Sequence, residues 1–329
     1  MTGRLPAMLC LIAIFACTRI PSRDSVSSGD YRLPPGTFRR AIEHDGGERS
    51  YLIHLPPQAD AGQPLPVILN FHGGGGNARG QESYTRMDTL ADEAGFLVVY
   101  PDGTGRFEGL LLTWNAGGCC GYARDNSVDD VGFVRAVMQD VARVAVVDGS
   151  RVYATGLSNG AMMAYRVAAE APDLVAAIAP VAGAMQMEAF APGRPIPVLH
   201  IHSVDDPRAL YNGGLGPPFP LTTNRVDHVA VETVLATWAE NNGCGAEAEV
   251  VEFHQAQADE GEPAQTATRL VFPDCSLGGE VEHWRLTGAG HVWPGGEPGY
   301  LQTILGKSTG VIDANREMWE FFGRFALPG

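Results

Sequence analysis

Short continuous apolar runs alternate along this chain with stretches rich in helix formers, and that alternation sets the architecture. Residues 66–71 (Pro-Val-Ile-Leu-Asn-Phe) and 195–202 (Pro-Ile-Pro-Val-Leu-His-Ile-His) read as strands buried on both faces, since a half-exposed strand would alternate apolar with polar residues. Around them, strands are expected at 37–43, 49–55, 97–100, 151–155, 175–181 and 281–286, with a hairpin between 249 and 272. Helices are expected around 84–93, 131–147, 161–170, 229–242 and 312–325. The Gly- and Pro-rich stretches 190–195 and 210–223 read as loops, the second placed to rim a cleft. This order predicts an α/β protein with a mostly parallel sheet flanked by helices.

Between the strand at 151–155 and the helix beyond it lies Gly156-Leu157-Ser158-Asn159-Gly160, a G-x-S-x-G pattern in the strand–turn–helix setting of a nucleophile elbow. Such a turn strains the serine backbone, and its glycines give room where strand and helix nearly touch, so the Ser158 hydroxyl is exposed at the top of the sheet. The run 66–71 delivers the chain into His72-Gly73-Gly74-Gly75-Gly76-Asn77. Acyl transfer needs two backbone N–H groups aimed at the developing oxyanion. One is that of Asn159, and the other comes from this glycine loop, with Gly74 the expected donor and Gly73 the alternative. A phosphate-binding loop would continue into Gly-Lys-Ser/Thr, which this one does not.

In this architecture the acid and the histidine follow the serine in the order Ser, Asp, His. Residues 195–202 run into Ser203-Val204-Asp205-Asp206-Pro207, and an acid just past a strand end sits at the carboxyl edge of the sheet, where open α/β folds bind ligands. Both Asp205 and Asp206 meet that demand. The strand at 281–286 leads into Gly288-Ala289-Gly290-His291-Val292-Trp293-Pro294-Gly295-Gly296, where glycines leave His291 free to reach Ser158. His200 and His202, alternating on one strand, read as packing or supporting groups. Asp129-Asp130 suit the dipole of the following helix rather than a calcium site, and no metal is expected.

Charge and cysteines narrow the setting. A net charge of −15 with no compensating basic patch argues against nucleic acid and anionic lipid surfaces as partners. Residues 1–17 carry basic Arg4 and an apolar run over 5–16, too short to span a bilayer, and read as an export signal. Ile14-Phe15-Ala16-Cys17 is an imperfect bacterial lipobox, so Cys17 is the expected site of a lipid anchor, the chain's one membrane contact. Residues 18–36, with Ser, Pro and charge, then form a disordered tether, and 37–329 one catalytic domain. Cys119, Cys120, Cys244 and Cys275 fit an oxidising compartment: extracellular, periplasmic, or anchored at the bacterial cell envelope. The adjacent Cys119 and Cys120 are left open between a vicinal disulfide and free thiols.

Several stretches together carry a family resemblance: residues 72–77, Trp114-Asn115-Ala116-Gly117-Gly118-Cys119-Cys120-Gly121, Val128-Asp129-Asp130-Val131-Gly132-Phe133, the elbow, Tyr211-Asn212-Gly213-Gly214, and Gly290-His291-Val292-Trp293-Pro294-Gly295-Gly296. Over roughly residues 35–327 the chain resembles the polyhydroxybutyrate depolymerase and feruloyl esterase family of secreted α/β-hydrolases. In that family the segment after the acid strand reads His-Gly-Thr-x-Asp-Pro, then Pro-Tyr three residues later. Here it reads His202-Ser203-Val204-Asp205-Asp206-Pro207, then Leu210-Tyr211, and the register puts Asp206 in the acid position. The resemblance also implies a Cys244–Cys275 disulfide.

The expected reaction is ester hydrolysis by a Ser158–His291–Asp206 triad through an acyl-enzyme, with no metal or organic cofactor. Polymer-degrading relatives carry a Ser/Thr-rich linker and a further binding domain, while this chain stops at Gly329. That favours feruloyl or acetyl esters of sugars, or short hydroxyalkanoate esters, over solid polyester. Trp114, Tyr211 and Trp293 are the candidates to stack on the substrate. The competing readings are a depolymerase acting on polymer, a serine peptidase on the same fold, and a surface-binding protein without catalysis.

Overall fold

Strands of the central sheet follow from the alternation of apolar side chains to its two faces. The computed structural model describes residues 32–107, 109–187, 189–219, 225–257, 263–276 and 278–328. The expected export signal at 1–17, with Cys17, and the expected tether as far as residue 31 lie outside the described residues. The main-sheet strands are β1 (Gly36–His44), β2 (Gly47–Leu55), β3 (Leu65–Phe71), β4 (Leu97–Pro101), β5 (Val147–Leu157), β6 (Ala177–Val181) and β7 (Val198–Ser203). A short ribbon, β8 (Gly214–Leu215) with β9 (Asp227–His228), interrupts the count before β10 (Glu249–Gln255), β11 (Thr266–Val271) and β12 (Val281–Thr287). The helices are α1 (Ala78–Thr85), α2 (Met87–Ala94), α3 (Gly121–Asp125), α4 (Asp130–Val144), α5 (Asn159–Glu170), α6 (Val231–Asn241), α7 (Gln302–Leu305) and α8 (Ala314–Phe322).

The ten-stranded sheet runs β1-β2-β4-β3-β5-β6-β7-β12-β11-β10. Its six central strands, β4 through β12 in that order, are parallel, and antiparallel pairs extend both edges. Val67, Leu69 and Phe71 of β3 join the core shared with α4, α5 and α6, whereas Ile68 joins the core shared with α1, α2 and α8. That period of two explains why the central strands read as unbroken apolar runs. The fold is the α/β-hydrolase type expected, and because β5, β7 and β12 are parallel, the residues after each gather at one edge.

Two elements differ from the sequence reading. The helix expected over 84–93 is two helices, because Arg86 stands at φ 52° and the Thr85 carbonyl accepts from Asn315 Nδ2 (2.8 Å) instead of continuing the ladder. The first of them starts earlier, at an Asn77 cap whose side chain accepts from Gly80 N–H (2.9 Å). The stretch expected as a plain loop over 210–223 contains β8. Among the described residues no helix is long and apolar enough to cross a membrane.

Candidate active site

Ser158 ends β5 and caps α5 with φ 58° and ψ −119°, a conformation that an L-residue adopts only when its surroundings impose it. Its N–H donates to Val181 O (2.9 Å) and its carbonyl accepts from Met162 N–H (3.0 Å), so the neighbouring strand β6 and the following helix α5 hold the turn. The elbow glycines are required by contact. A Cβ on Gly156 would lie 2.6 Å from Phe71 O, and one on Gly160 would overlap the same carbonyl. Ser158 is partly exposed in a setting that is otherwise buried.

The glycine loop packs directly on this turn. A Cβ on Gly73 would stand 3.6 Å from Ser158 Cβ, and one on Gly74 3.6 Å from Asn159 Cβ. Gly75 N–H donates to Leu112 O (2.7 Å) and Gly76 N–H to Gly73 O (2.9 Å), so these two are committed to holding the loop. His72 lies beneath it, accepting from Gly103 N–H at Nε2 (2.9 Å) and donating from Nδ1 to Gly73 O (2.8 Å). Burial lowers its pKa to about 4, which keeps the ring neutral and that tautomer fixed. Asn159 clasps the backbone of Trp114, accepting its N–H at Oδ1 (2.7 Å) and donating from Nδ2 to its carbonyl (3.0 Å). Trp114 Nε1 in turn donates to His72 O (3.0 Å). The residue after the serine and the glycine loop are thus tied through one tryptophan.

The residues expected as acid and base lie together. His291 Nδ1 lies 2.7 Å from Asp206 Oδ2, and both residues are buried. Asp206 Oδ1 accepts the N–H groups of Arg208 (2.7 Å) and Ala209 (2.8 Å). Burial pushes the carboxyl up, but the His291 charge and the hydrogen bonds from His202 and His291 outweigh it, so the group sits well below the ordinary carboxylate range. Asp205 points elsewhere, accepting Gly288 N–H (2.7 Å), and Ser203 Oγ donates to Ala289 O (2.6 Å). These two bonds lash the acid loop to the loop that carries His291. Asp130 stands in the first turn of α4, where the dipole reading placed it, and is fully buried against Arg49 (2.8 Å), while Asp129 caps α4 through Gly132 N–H (2.9 Å).

Three expected substrate contacts are corrected. Trp114, Tyr211 and Trp293 are all buried, and their polar tips are satisfied internally: Trp114 by His72 O, Tyr211 by Glu232 and His283, and Trp293 by Asn315 Oδ1 (3.0 Å). They are scaffolding under the loops, because an aromatic this large in a glycine-rich setting fills the space the glycines leave. The side chains that do face the oxyanion loop lie elsewhere. The half-buried Phe219 ring is 3.6 Å from the place of a Gly74 Cβ, and exposed Leu111 is 3.9 Å from that of a Gly75 Cβ. Phe107 and Leu110 are exposed on the same loop as Leu111. Arg208 Nη2 donates to Pro218 O (3.0 Å), tethering the Phe219 segment to the acid loop. No periodicity marks these residues; their exposed apolar character in a loop was the one available signal.

Cys244 and Cys275 are bridged, as the resemblance implied, and Cys119 and Cys120 are paired across a cis peptide bond.

A family model described as Esterase PHB depolymerase matches residues 49–242. Among curated proteins, "Putative esterase NocK" of Nocardia uniformis subsp. tsuyamanensis is 32% identical over 277 residues, 82% of this chain and 78% of that one. Feruloyl esterase B of Piromyces equi is 26% identical over 85% of this chain, which spans only 46% of that protein. Among solved structures, an acetyl xylan esterase from Aspergillus awamori aligns with a TM-score of 0.54 at 16% identity, covering 87% of this chain and 99% of that one; this likeness concerns the fold. Fold and relatives together define an esterase on the α/β-hydrolase scaffold. The chain belongs to the polyhydroxybutyrate depolymerase-type esterase family, and it is a carboxylic-ester hydrolase.

Proposed function

We propose that Ser158, His291 and Asp206 are the catalytic triad of an exported esterase, with Asn159 and Gly74 N–H groups as the oxyanion hole. The observation that carries this reading is the 2.7 Å contact between His291 Nδ1 and Asp206 Oδ2 at the sheet edge where Ser158 is held in its strained turn. Ser158 Oγ attacks the ester carbonyl as its proton passes to His291 Nε2, and the two N–H groups take up the charge on the tetrahedral oxygen. Collapse expels the alcohol, which receives that proton, and leaves the acyl-enzyme. Water then repeats the sequence, giving its proton to His291 and releasing the acid. Commitment of the Gly75 and Gly76 N–H groups to the loop supports Gly74 as the second donor.

The favoured substrates are feruloyl or acetyl esters of sugars. Phe219 and the Leu111 loop flank the oxyanion loop with apolar surface suited to an aromatic acyl group, and relatives named for feruloyl and acetylxylan ester cleavage support the same class. The Cys244–Cys275 bridge supports export to an oxidising compartment, with the leader at 1–17 and a lipid anchor on Cys17 as its means. A fluorophosphonate probe is expected to label the protein but not Ser158→Ala, whose turnover should fall by about 10⁶-fold. Equal labelling of both proteins overturns the triad. Rates on methyl ferulate, p-nitrophenyl acetate and hydroxybutyrate oligomers, compared between wild type and Phe219→Ala, test the substrate class: the ferulate rate should fall most.

A further inference from the structure

Behind the candidate acid lies a chain of buried rings that the triad does not use. His202, on β7, is buried, and its Nε2 sits 3.2 Å from Asp206 Oδ2 and 2.8 Å from Ala209 O. Both neighbours are acceptors, so Nε2 carries the ring proton. In the neutral ring Nδ1 is then an acceptor, and it faces His200 Nε2 at 3.1 Å. For a neutral His202, His200 carries its proton on Nε2, which leaves its Nδ1 to accept from Tyr165 OH (2.9 Å). His200 is fully buried, and desolvation, with His202 and His283 alongside, holds it neutral. With His202 neutral, the protons of Tyr165, His200 and His202 all point toward Asp206, whose Oδ2 is also the atom that His291 Nδ1 contacts.

We propose that His202 is a positioning residue for the catalytic acid: its Nε2–H, bonded to Ala209 O and lying 3.2 Å from Asp206 Oδ2, is shared with that oxygen, is held in its tautomer by His200 and Tyr165, and so fixes the carboxylate against His291 and limits how strongly it holds the protonated base. The inference rests on the triad reading above. The other ionisable groups near Asp206 do not supply this bond. His228 on β9 and His283 on β12 are held neutral by burial, at about 4 and about 3. His283 is turned away, bonding His200 O (3.0 Å) and Tyr211 OH (3.0 Å). Asp205 is engaged by Gly288 N–H, and the Arg208 side chain by Pro218 O.

Without the donor, Asp206 carries more of its charge toward His291, and the neutral base needed for attack appears only at higher pH. His202→Phe should lower kcat on p-nitrophenyl acetate by about 10- to 100-fold with KM changed less than about twofold, and move the acid limb of kcat/KM up by about half a pH unit or more. His202→Gln, which returns an N–H at similar reach, should bring the limb back toward the wild type. If the Phe limb coincides with the wild-type limb, or the Gln limb with that of Phe, the proposal is overturned. The wild-type protein gives a second test that needs no variant. In nitrogen-15 spectra of histidine-labelled protein, His202 and His200 should both be Nε2–H tautomers and remain neutral across the acid limb; titration of His202 with activity overturns the proposal. Ser158→Ala and His291→Ala separate the two levels: if either keeps activity the triad falls, and if both abolish it while His202→Phe leaves the limb unmoved, only this inference falls.

Discussion

The two sides of the candidate site are built in different ways. On the nucleophile side the parts are backbone: a strained serine, glycines pressed against carbonyls, and N–H groups held by a loop. On the acid–base side the parts are side chains, brought together from positions 85 residues apart and held by buried hydrogen bonds between Asp206, His291, His202 and the loops around them. The first side should therefore fail when a methyl is added where backbone meets backbone. The second should fail when an isosteric change removes a charge or a proton donor while the fold stays intact.

The largest effect is expected at Gly160. A Cβ there would overlap Phe71 O, backbone that cannot yield, so Gly160→Ala should cost more than about 4 kcal/mol or abolish folding, as read by soluble yield and thermal unfolding. A soluble, fully active variant would break the comparison on the nucleophile side. Next, Asp206→Asn should lower turnover by about 10⁴-fold in a protein that still folds, a magnitude borrowed from the best-studied triad. Asp205→Asn should change turnover less than about tenfold, since the Asp205 carboxylate accepts Gly288 N–H rather than meeting His291. Reversed ranking would show that the acid side is organised around the other carboxylate.

Acid should expose the cost of the buried rings. His72 on the nucleophile side and His200 and His283 on the acid side have folded-state pKa values lowered by burial, to about 4 for His72 and about 3 for His283. The unfolded chain binds protons at these rings near pH 6.5 and the folded chain does not, so stability falls as pH drops below about 6.5, by up to about 1.4 kcal/mol per pH unit for each ring. Asp206 acts in the same direction further down: its lowered pKa adds stability that is present above about pH 4 and lost as the carboxyl is protonated. Urea unfolding between pH 7 and pH 4 measures the slope, and a flat profile would remove the case for neutral buried rings. The smallest effect is expected at Ser203→Gly, which restores the family residue and removes the bond to Ala289 O and the longer one from Asp205 N–H; a loss within about 1 kcal/mol and a few-fold change in turnover would mark those ties as secondary.

Much of this molecule was legible before folding was considered. Residues 66–71 and 198–202 are strands because unbroken apolar runs suit only a sheet covered on both faces, and Ser158 stands in an elbow because the glycines around it are what the turn requires. These signals are local, and local spacing suffices to read them. The choice between Asp205 and Asp206 needed a family register, and it is the meeting of two loops that turns one carboxylate to His291 and the other to a backbone N–H. Trp114, Tyr211 and Trp293 could be read as substrate platforms only while their burial was unknown. Conversely, Phe219 at the oxyanion loop carries no motif at all, and the segment that contains His202 marks the acid without showing that His202 packs behind it. Composition and periodicity determined where strands, turns and the nucleophile would fall; which side chains face the cleft and which lie beneath it was decided by tertiary packing, because burial and hydrogen-bond partners are properties of neighbours that are distant in the chain.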